Sequence, residues 1–222
     1  MAITQILQFS KDASSDLDVW KSVEKLIEKA NADLSNTNAR YRYAIGTHIQ
    51  ENVVVQVTSE WDDVEVYKNL DANLEYASFV EILRTHFGPP TTQFHITSHR
   101  STFGKDGGAT ANVVEYVQSY FPVSTVTSAF EKQIFDDFVR FDKIYMPGTQ
   151  ETAGLTMGWT QDEKEHADVK GEKARCFVVI RGWESMQRFE ESTKTKEFRE
   201  AIPILYSWNA PFSMVRLVHF EL

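Results

Sequence analysis

Apolar and polar positions along the chain alternate between two periods. Ile3-Thr4-Gln5-Ile6-Leu7-Gln8-Phe9 reads as a strand, and Trp20, Val23, Ile27, Ala30 and Leu34 then recur every three or four residues, one face of an amphipathic helix. Arg40 to Gln50 and the β-branched run Asn52 to Trp61 predict a hairpin. Val66, Leu70, Leu74, Ala77, Val80 and Leu83 return to helical spacing, Gly88-Pro89-Pro90 ends that stretch, and Thr92 to Arg100 predicts a further strand.

The order β-α-β-β-α-β then recurs. Val113 to Phe121 predicts a strand, and Ser128 with Glu131 has the capping-box spacing ahead of Phe130, Ile134, Phe138 and Phe141. Gly154 to Thr160 and Arg175 to Trp183 make the second hairpin, with a charged tip from Gln161 to Lys173. Ser185 opens a helical region through Met186, Phe189, Phe198 and Ile202 that Pro203 is expected to disrupt, and Phe212 to Leu222 closes the pattern as a strand. Trp61 and Trp183 both end a β-rich run, and Gly46 aligns with Gly158. The expected fold is therefore α+β: two tandem ferredoxin-like repeats, residues 1–103 and 110–222, with Ser101 to Asn112 as linker. Val53 to Val57 is apolar at nearly every position, so its sheet needs cover on both faces. The expected cover is the other half of the chain, making an intrachain α+β barrel.

Composition narrows the function classes. Apolar content of 42% and aromatic content of 13% suffice for packed cores, and the net charge of −9 leaves no basic stripe for nucleic acid. The single cysteine, Cys176, excludes an internal disulfide, and no Cys/His spacing suggests a metal site. Met1 to Phe9 lacks signal-peptide features and no apolar run is long enough to span a membrane, so a cytoplasmic protein is expected. The glycines at 104, 107 and 108 lack a following GK[ST], so they carry no phosphate-loop signature.

The chemistry-bearing candidates lie mainly in the first half. Alternation puts His95 and His99 on one strand face, where two imidazoles suit proton transfer to a phenol or an enolisable ketone. A hydrogen-bonded core His95 and a solvated His99 are the plain alternatives. His48 near a strand end has no counterpart in the second half. Tyr41, Tyr43, Tyr67, Phe79 and Trp61 are candidates for an aromatic-lined substrate pocket with Tyr76 as a proton donor, and Trp159 for a second pocket. Each has a bland reading as core or rim.

Glu60-Trp61 followed by Tyr67 and Phe79, and Gly182-Trp183 followed by Phe189 and Phe198, carry a family likeness. The chain resembles the dimeric α+β-barrel superfamily, in particular the antibiotic-biosynthesis-monooxygenase-like domains in tandem, and is similar to polyketide cyclases of the olivetolic acid type. That resemblance implies an enzyme without cofactor or metal, acting on a hydrophobic aromatic or polyketide-derived metabolite, with a homodimer as one assembly. It departs from the family where a His stands three residues before the Phe: Tyr76 and Thr195 occupy those places. The first strand also lacks the Asn that haem-degrading members use. His95, Tyr76, His48 and His99 remain the catalytic candidates, for cyclisation, isomerisation or dehydration. A cofactor-free monooxygenase using the same base, or a non-catalytic binding protein, are the other readings.

Overall fold

The computed structural model describes residues 2–10, 25, 41–51, 53–61, 74–149 and 154–219. Its strands are β1 (Ala2–Ser10), β2 (Tyr41–His48), β3 (Val54–Trp61), β4 (Thr92–Ser98), β5 (Val113–Pro122), β6 (Leu155–Thr160), β7 (Ala174–Trp183) and β8 (Phe212–His219). Its described helices, numbered among themselves, are α1 (Leu74–Phe87), α2 (Ser128–Tyr145), α3 (Met186–Ser192) and α4 (Lys196–Tyr206). The helix expected over Trp20 to Leu34 and the start of the one expected from Val66 lie outside the described residues.

The fold expected as two tandem ferredoxin-like repeats is corrected by the strand ladder. All eight strands join one closed antiparallel barrel in the order β1-β3-β2-β8-β5-β7-β6-β4. Two contacts close it: Gly46↔His219 to His48↔Leu217 between β2 and β8, and Ile96↔Thr160 to Ser98↔Gly158 between β4 and β6. The physical reason is edge satisfaction. Two separate sheets would leave four edge strands with unpaired N–H and C=O groups, and closure removes every edge. The doubly apolar strands are then covered by the barrel's interior on one side and a helix layer on the other.

Side-chain alternation divides the core accordingly. Ile6, Phe94, Ile96, Tyr116, Val178, Ile180 and Leu217 pack inside the barrel. Leu7, Phe9, Val55, Val57 and Trp61 face outward onto Tyr76, Phe79, Leu83 and Phe87 of α1. Met157, Phe177, Val179 and Trp183 do the same against Ile134, Phe138, Phe141 and Tyr145 of α2.

Both closing seams carry a glycine. A Cβ on Gly46 would lie 2.7 Å from the Val218 carbonyl oxygen, and one on Gly158 2.1 Å from that of Thr97. Gly158→Ala therefore has to push β6 from β4. It is expected to cost about 1–3 kcal/mol, read as a lower denaturant midpoint at unchanged m-value.

The helix ends differ from expectation in two places. Thr127, one residue before Ser128, caps α2 by accepting from the Phe130 N–H, while Glu131 is drawn away to Arg175 at 2.5 Å. Pro203 lies inside α4, and the break falls instead at Thr193 to Thr195, where Thr195 caps α4. Pro203 and Arg199 are both exposed, so the carbonyl that loses its intrahelical donor faces water. Ser185 caps α3 as expected.

The Ser101 to Asn112 connection folds onto one end of the barrel. Thr102 is fully buried, its hydroxyl 2.7 Å from that of Thr4, and the buried Glu60 carboxylate accepts from its backbone N–H and from the Ser101 hydroxyl. Among the described residues no helix is long and apolar enough to cross a membrane.

Candidate active site

The ladder register sets two columns of polar side chains on the outer face of the barrel, beneath the helices. In the first half Gln5 pairs with Ser59 on β3 and with His95 on β4. In the second half Glu115 pairs with Arg181 on β7 and with Arg216 on β8. Equivalent places in the barrel thus hold a neutral hydrogen-bonded group in one half and a charged group in the other.

The first column is a closed relay. The Tyr76 hydroxyl donates to Gln5 Oε1 at 2.8 Å, and the Gln5 amide nitrogen donates to His95 Nε2 at 3.1 Å. That leaves His95 Nδ1 to donate to Asp162, 3.2 Å away, whose carboxylate also accepts the His95 backbone N–H at 2.8 Å. Burial raises the Asp162 pKa, but the hydrogen bonds from His95 and the nearby Lys164 charge outweigh it and hold the carboxyl below its ordinary value. Trp61 stands edge-on to Tyr76 at 5.4 Å, and Tyr43 packs on Phe79 at 5.5 Å.

The other candidates are dispersed. His48 points into the barrel and donates from Nε2 to Gln56 Oε1, and Gln56 and Thr58 continue that interior chain to the Tyr116 hydroxyl. Burial lowers the His48 pKa, against the Gln56 bond and Glu51. His99 lies just past β4, with Nδ1 at the Met157 backbone and its ring edge-on to Phe135, and burial lowers its pKa too. His95 and His99 therefore serve different partners. Trp159 is buried among Phe121, Phe130 and Phe177, with the Arg175 guanidinium 5.7 Å from its ring centre. Tyr41 contributes backbone to β2, and Tyr67 lies outside the described residues.

The second column opens into a cavity. A space of about 460 Å³ lies between the outer faces of β5, β7 and β8 and the helices α2, α3 and α4. Phe138, Phe141, Phe189, Phe198 and Trp208 form its walls, Glu115, Arg181 and Tyr145 its polar end, and Tyr206, Phe212 and Met214 its opposite end. Tyr206 and Phe212 are 67% and 60% exposed, so that end meets solvent. From Glu115 to Ser119, both on the lining, the strand rises about 14 Å, long enough for a fused aromatic ring system. None of the ten residues singled out from the sequence lines this cavity.

Its electrostatics centre on Glu115, which is 7% exposed. Burial pushes the carboxyl's pKa up. The Trp183 indole N–H, donating to Oε2 at 3.0 Å, and the Arg181 and Arg216 charges pull it back in part. Arg181, only 3% exposed, is fixed by Asp142 of α2 and packs near the Tyr145 and Trp183 rings. The Tyr145 hydroxyl meets Ser192 Oγ at 2.5 Å, and burial raises its pKa to about 12, so it remains a proton-bearing hydroxyl at neutral pH. Arg216 lies 4.6 Å over the Phe189 ring, and its buried Nε has no hydrogen-bond partner among the described residues.

A buried base beside fixed cations, at the end of an aromatic slot, can take a proton from a bound ring and hold the resulting anion. The lining does not fit haem: among the described residues it offers no imidazole or thiolate, and the Tyr145 hydroxyl is engaged. Among the described residues no group of three or more His, Cys, Asp or Glu side chains is placed to hold a metal ion. Sequence reading missed Glu115, Arg181 and Arg216. Their signal was present: single charges within the apolar strands VVEYV, CFVVIRGW and MVRLV.

An antiparallel barrel clad in helices on its outside is the dimeric α+β-barrel fold, and solved structures share it with this chain. A candidate monooxygenase of Fusobacterium nucleatum is similar over 99% of this chain and 93% of its own, with a TM-score of 0.59 at 9% identity. One from Lactobacillus acidophilus NCFM is similar over 98% and 93%, with a TM-score of 0.57 at 13% identity. An anthrone oxidase-like protein is similar over 99% and 92%, with a TM-score of 0.56 at 12% identity. At identities this low the likeness establishes the fold alone. No family model and no curated protein sequence matches the chain.

Proposed function

We propose that this protein is a cofactor-independent monooxygenase that oxidises a hydroxylated polycyclic aromatic, anthrone-like substrate in the second-half cavity. The observation that carries this reading is the buried Glu115 carboxyl, of raised pKa, at the polar end of an aromatic-walled slot. The names of the structural neighbours favour oxidation over the cyclisation expected from sequence, although cyclisation would call on the same base.

In this scheme Phe138, Phe141 and Phe198 sandwich the rings and exclude water. Glu115 removes a proton from the substrate, and Arg181 steadies the negative charge left on the ring oxygen. The electron-rich anion then reduces dioxygen directly. One oxygen atom replaces the two hydrogens of the ring CH2 as a carbonyl, and the other leaves with those hydrogens as water.

The test is an oxygen-electrode assay with 1,8-dihydroxyanthrone and labelled dioxygen. Expected are one dioxygen consumed per quinone formed, one labelled atom in that quinone, and a rate proportional to protein. A quinone rate equal to that of buffer alone would refute the reading.

A further inference from the structure

Among the described residues four charged side chains surround the polar end of the cavity, and their sum sets what kind of ligand it takes. Glu115 on β5 lies between its ladder partners Arg181 on β7 and Arg216 on β8, and Asp142 on α2 binds Arg181. Tyr145 on α2 and Trp183 on β7 are the other polar groups facing Glu115, and both are uncharged proton donors. Phe189 from α3 and Phe198 from α4 contribute apolar cover. Two cations against two carboxylates balance to zero, so the site is neutral with Glu115 ionised and carries one positive charge with Glu115 protonated. A neutral buried site repels no neutral ring. A buried site with one net positive charge, by contrast, calls for a counter-anion.

Resting on the proposed aromatic substrate, we infer that the cavity binds its ligand as a phenolate or enolate in exchange for the negative charge of Glu115, so that anion binding and protonation of Glu115 are one coupled event. The substrate class is then a weakly acidic phenol or enol, such as a ring hydroxyl beside a carbonyl. In the step the substrate O–H or C–H bond breaks, its electron pair stays on the substrate, and the proton forms an O–H bond on the Glu115 carboxyl. No electron leaves or enters. Arg216, absent from the cavity lining, acts as a positioning residue: its guanidinium, set over Phe189, supplies the second positive charge that makes the exchange balance.

The probes are alizarin, a hydroxyanthraquinone whose colour reports its ionisation, and unsubstituted anthraquinone, which cannot ionise. Between about pH 7 and 9 free alizarin is already a monoanion. Its affinity for the wild-type protein is expected to fall about tenfold per pH unit once Glu115 has to be reprotonated for binding. Glu115→Gln keeps the site permanently positive, so its alizarin affinity should be flat over that range. Arg216→Gln should weaken alizarin about tenfold or more at every pH while leaving anthraquinone affinity unchanged, which controls for a damaged fold. Alizarin bound in its neutral colour, or with the same pH dependence in wild type and Glu115→Gln, overturns the inference and leaves the aromatic cavity standing. Failure of both dyes to bind the wild-type protein overturns the cavity reading and the inference together.

Discussion

Glu115→Gln is expected to lower kcat for aromatic oxidation by about 10²- to 10⁴-fold, the usual contribution of a positioned general base. Glutamine keeps the shape and can still accept from the Trp183 indole, so binding of an uncharged ring should persist. The same change should stabilise the protein at neutral pH. Burial raises the folded-state pKa of Glu115 above its unfolded value. The folded chain therefore holds a proton that the unfolded chain has lost, and stability falls as pH climbs from the ordinary carboxylate value through the raised one. An uncharged amide escapes that penalty. Its advantage should vanish in acid, where both states of the wild type are protonated. Melting temperatures of the two proteins, measured at acid and neutral pH beside steady-state rates, check both halves. A variant that loses activity with no gain in neutral stability would argue that Glu115 is not held at a cost, and so is not the strained base the scheme needs.

Such a trade is visible in the way the two halves of the barrel use one location. Ser59, Gln5 and His95 satisfy one another and Tyr76 by hydrogen bonds, and Asp162 closes the chain from the long β6–β7 connection. Arg181, Glu115 and Arg216 do not close in this way. Among the described residues Arg216 keeps a buried Nε without a hydrogen-bond partner, and Glu115 lines open space. A polar group satisfied on every side stabilises a fold, and one left facing a cavity is available to a ligand. That contrast is what favours the second half as the seat of the proposed chemistry, although the first holds more of the imidazoles.

The succession of strands along the chain was legible because β-branched runs such as Val53 to Val57 and Phe177 to Ile180 have no competing helical period. A barrel of some kind was legible too, from strands apolar on both faces, but the pairing of β2 with β8 and of β4 with β6 was not. The β2–β8 and β4–β6 ladders are made by backbone groups, and the only local trace of them is a glycine on one strand of each seam, Gly46 and Gly158. The candidate site leaves a trace in the sequence, but a weaker one than the imidazoles and phenols do. Histidines and tyrosines draw attention by their intrinsic pKa values, yet burial can make an ordinary carboxylate a neutral-pH base. Glu115 in Val113-Val114-Glu115-Tyr116-Val117 is a charge where the strand pattern wants an apolar residue. What the sequence alone could not supply was its partners, because Arg181 and Arg216 are brought beside it only by the register of two non-adjacent strands.

Trp183→Ala is expected to be the most destabilising single change at the site, by about 3–5 kcal/mol. The ring is fully buried, standing edge-on to Phe189 at 5.5 Å and 6.3 Å from the Tyr145 ring, so its removal leaves a void between β7 and the helix layer. In a domain of this size the melting temperature should drop by roughly 6–20 °C. Trp183→Phe separates packing from chemistry. It retains most of the apolar volume and deletes the N–H that reaches Glu115, at a cost of about 1–3 kcal/mol. That bond favours the ionised carboxyl, so losing it raises the Glu115 pKa further. The acid limb of the pH profile of kcat/KM should then move to higher pH, with the alkaline limb unmoved. Denaturant midpoints for both variants and a pH-rate profile for the Phe variant give the comparison. If the acid limb stays in place, the indole does not hold the charge on Glu115, and another group must be the base.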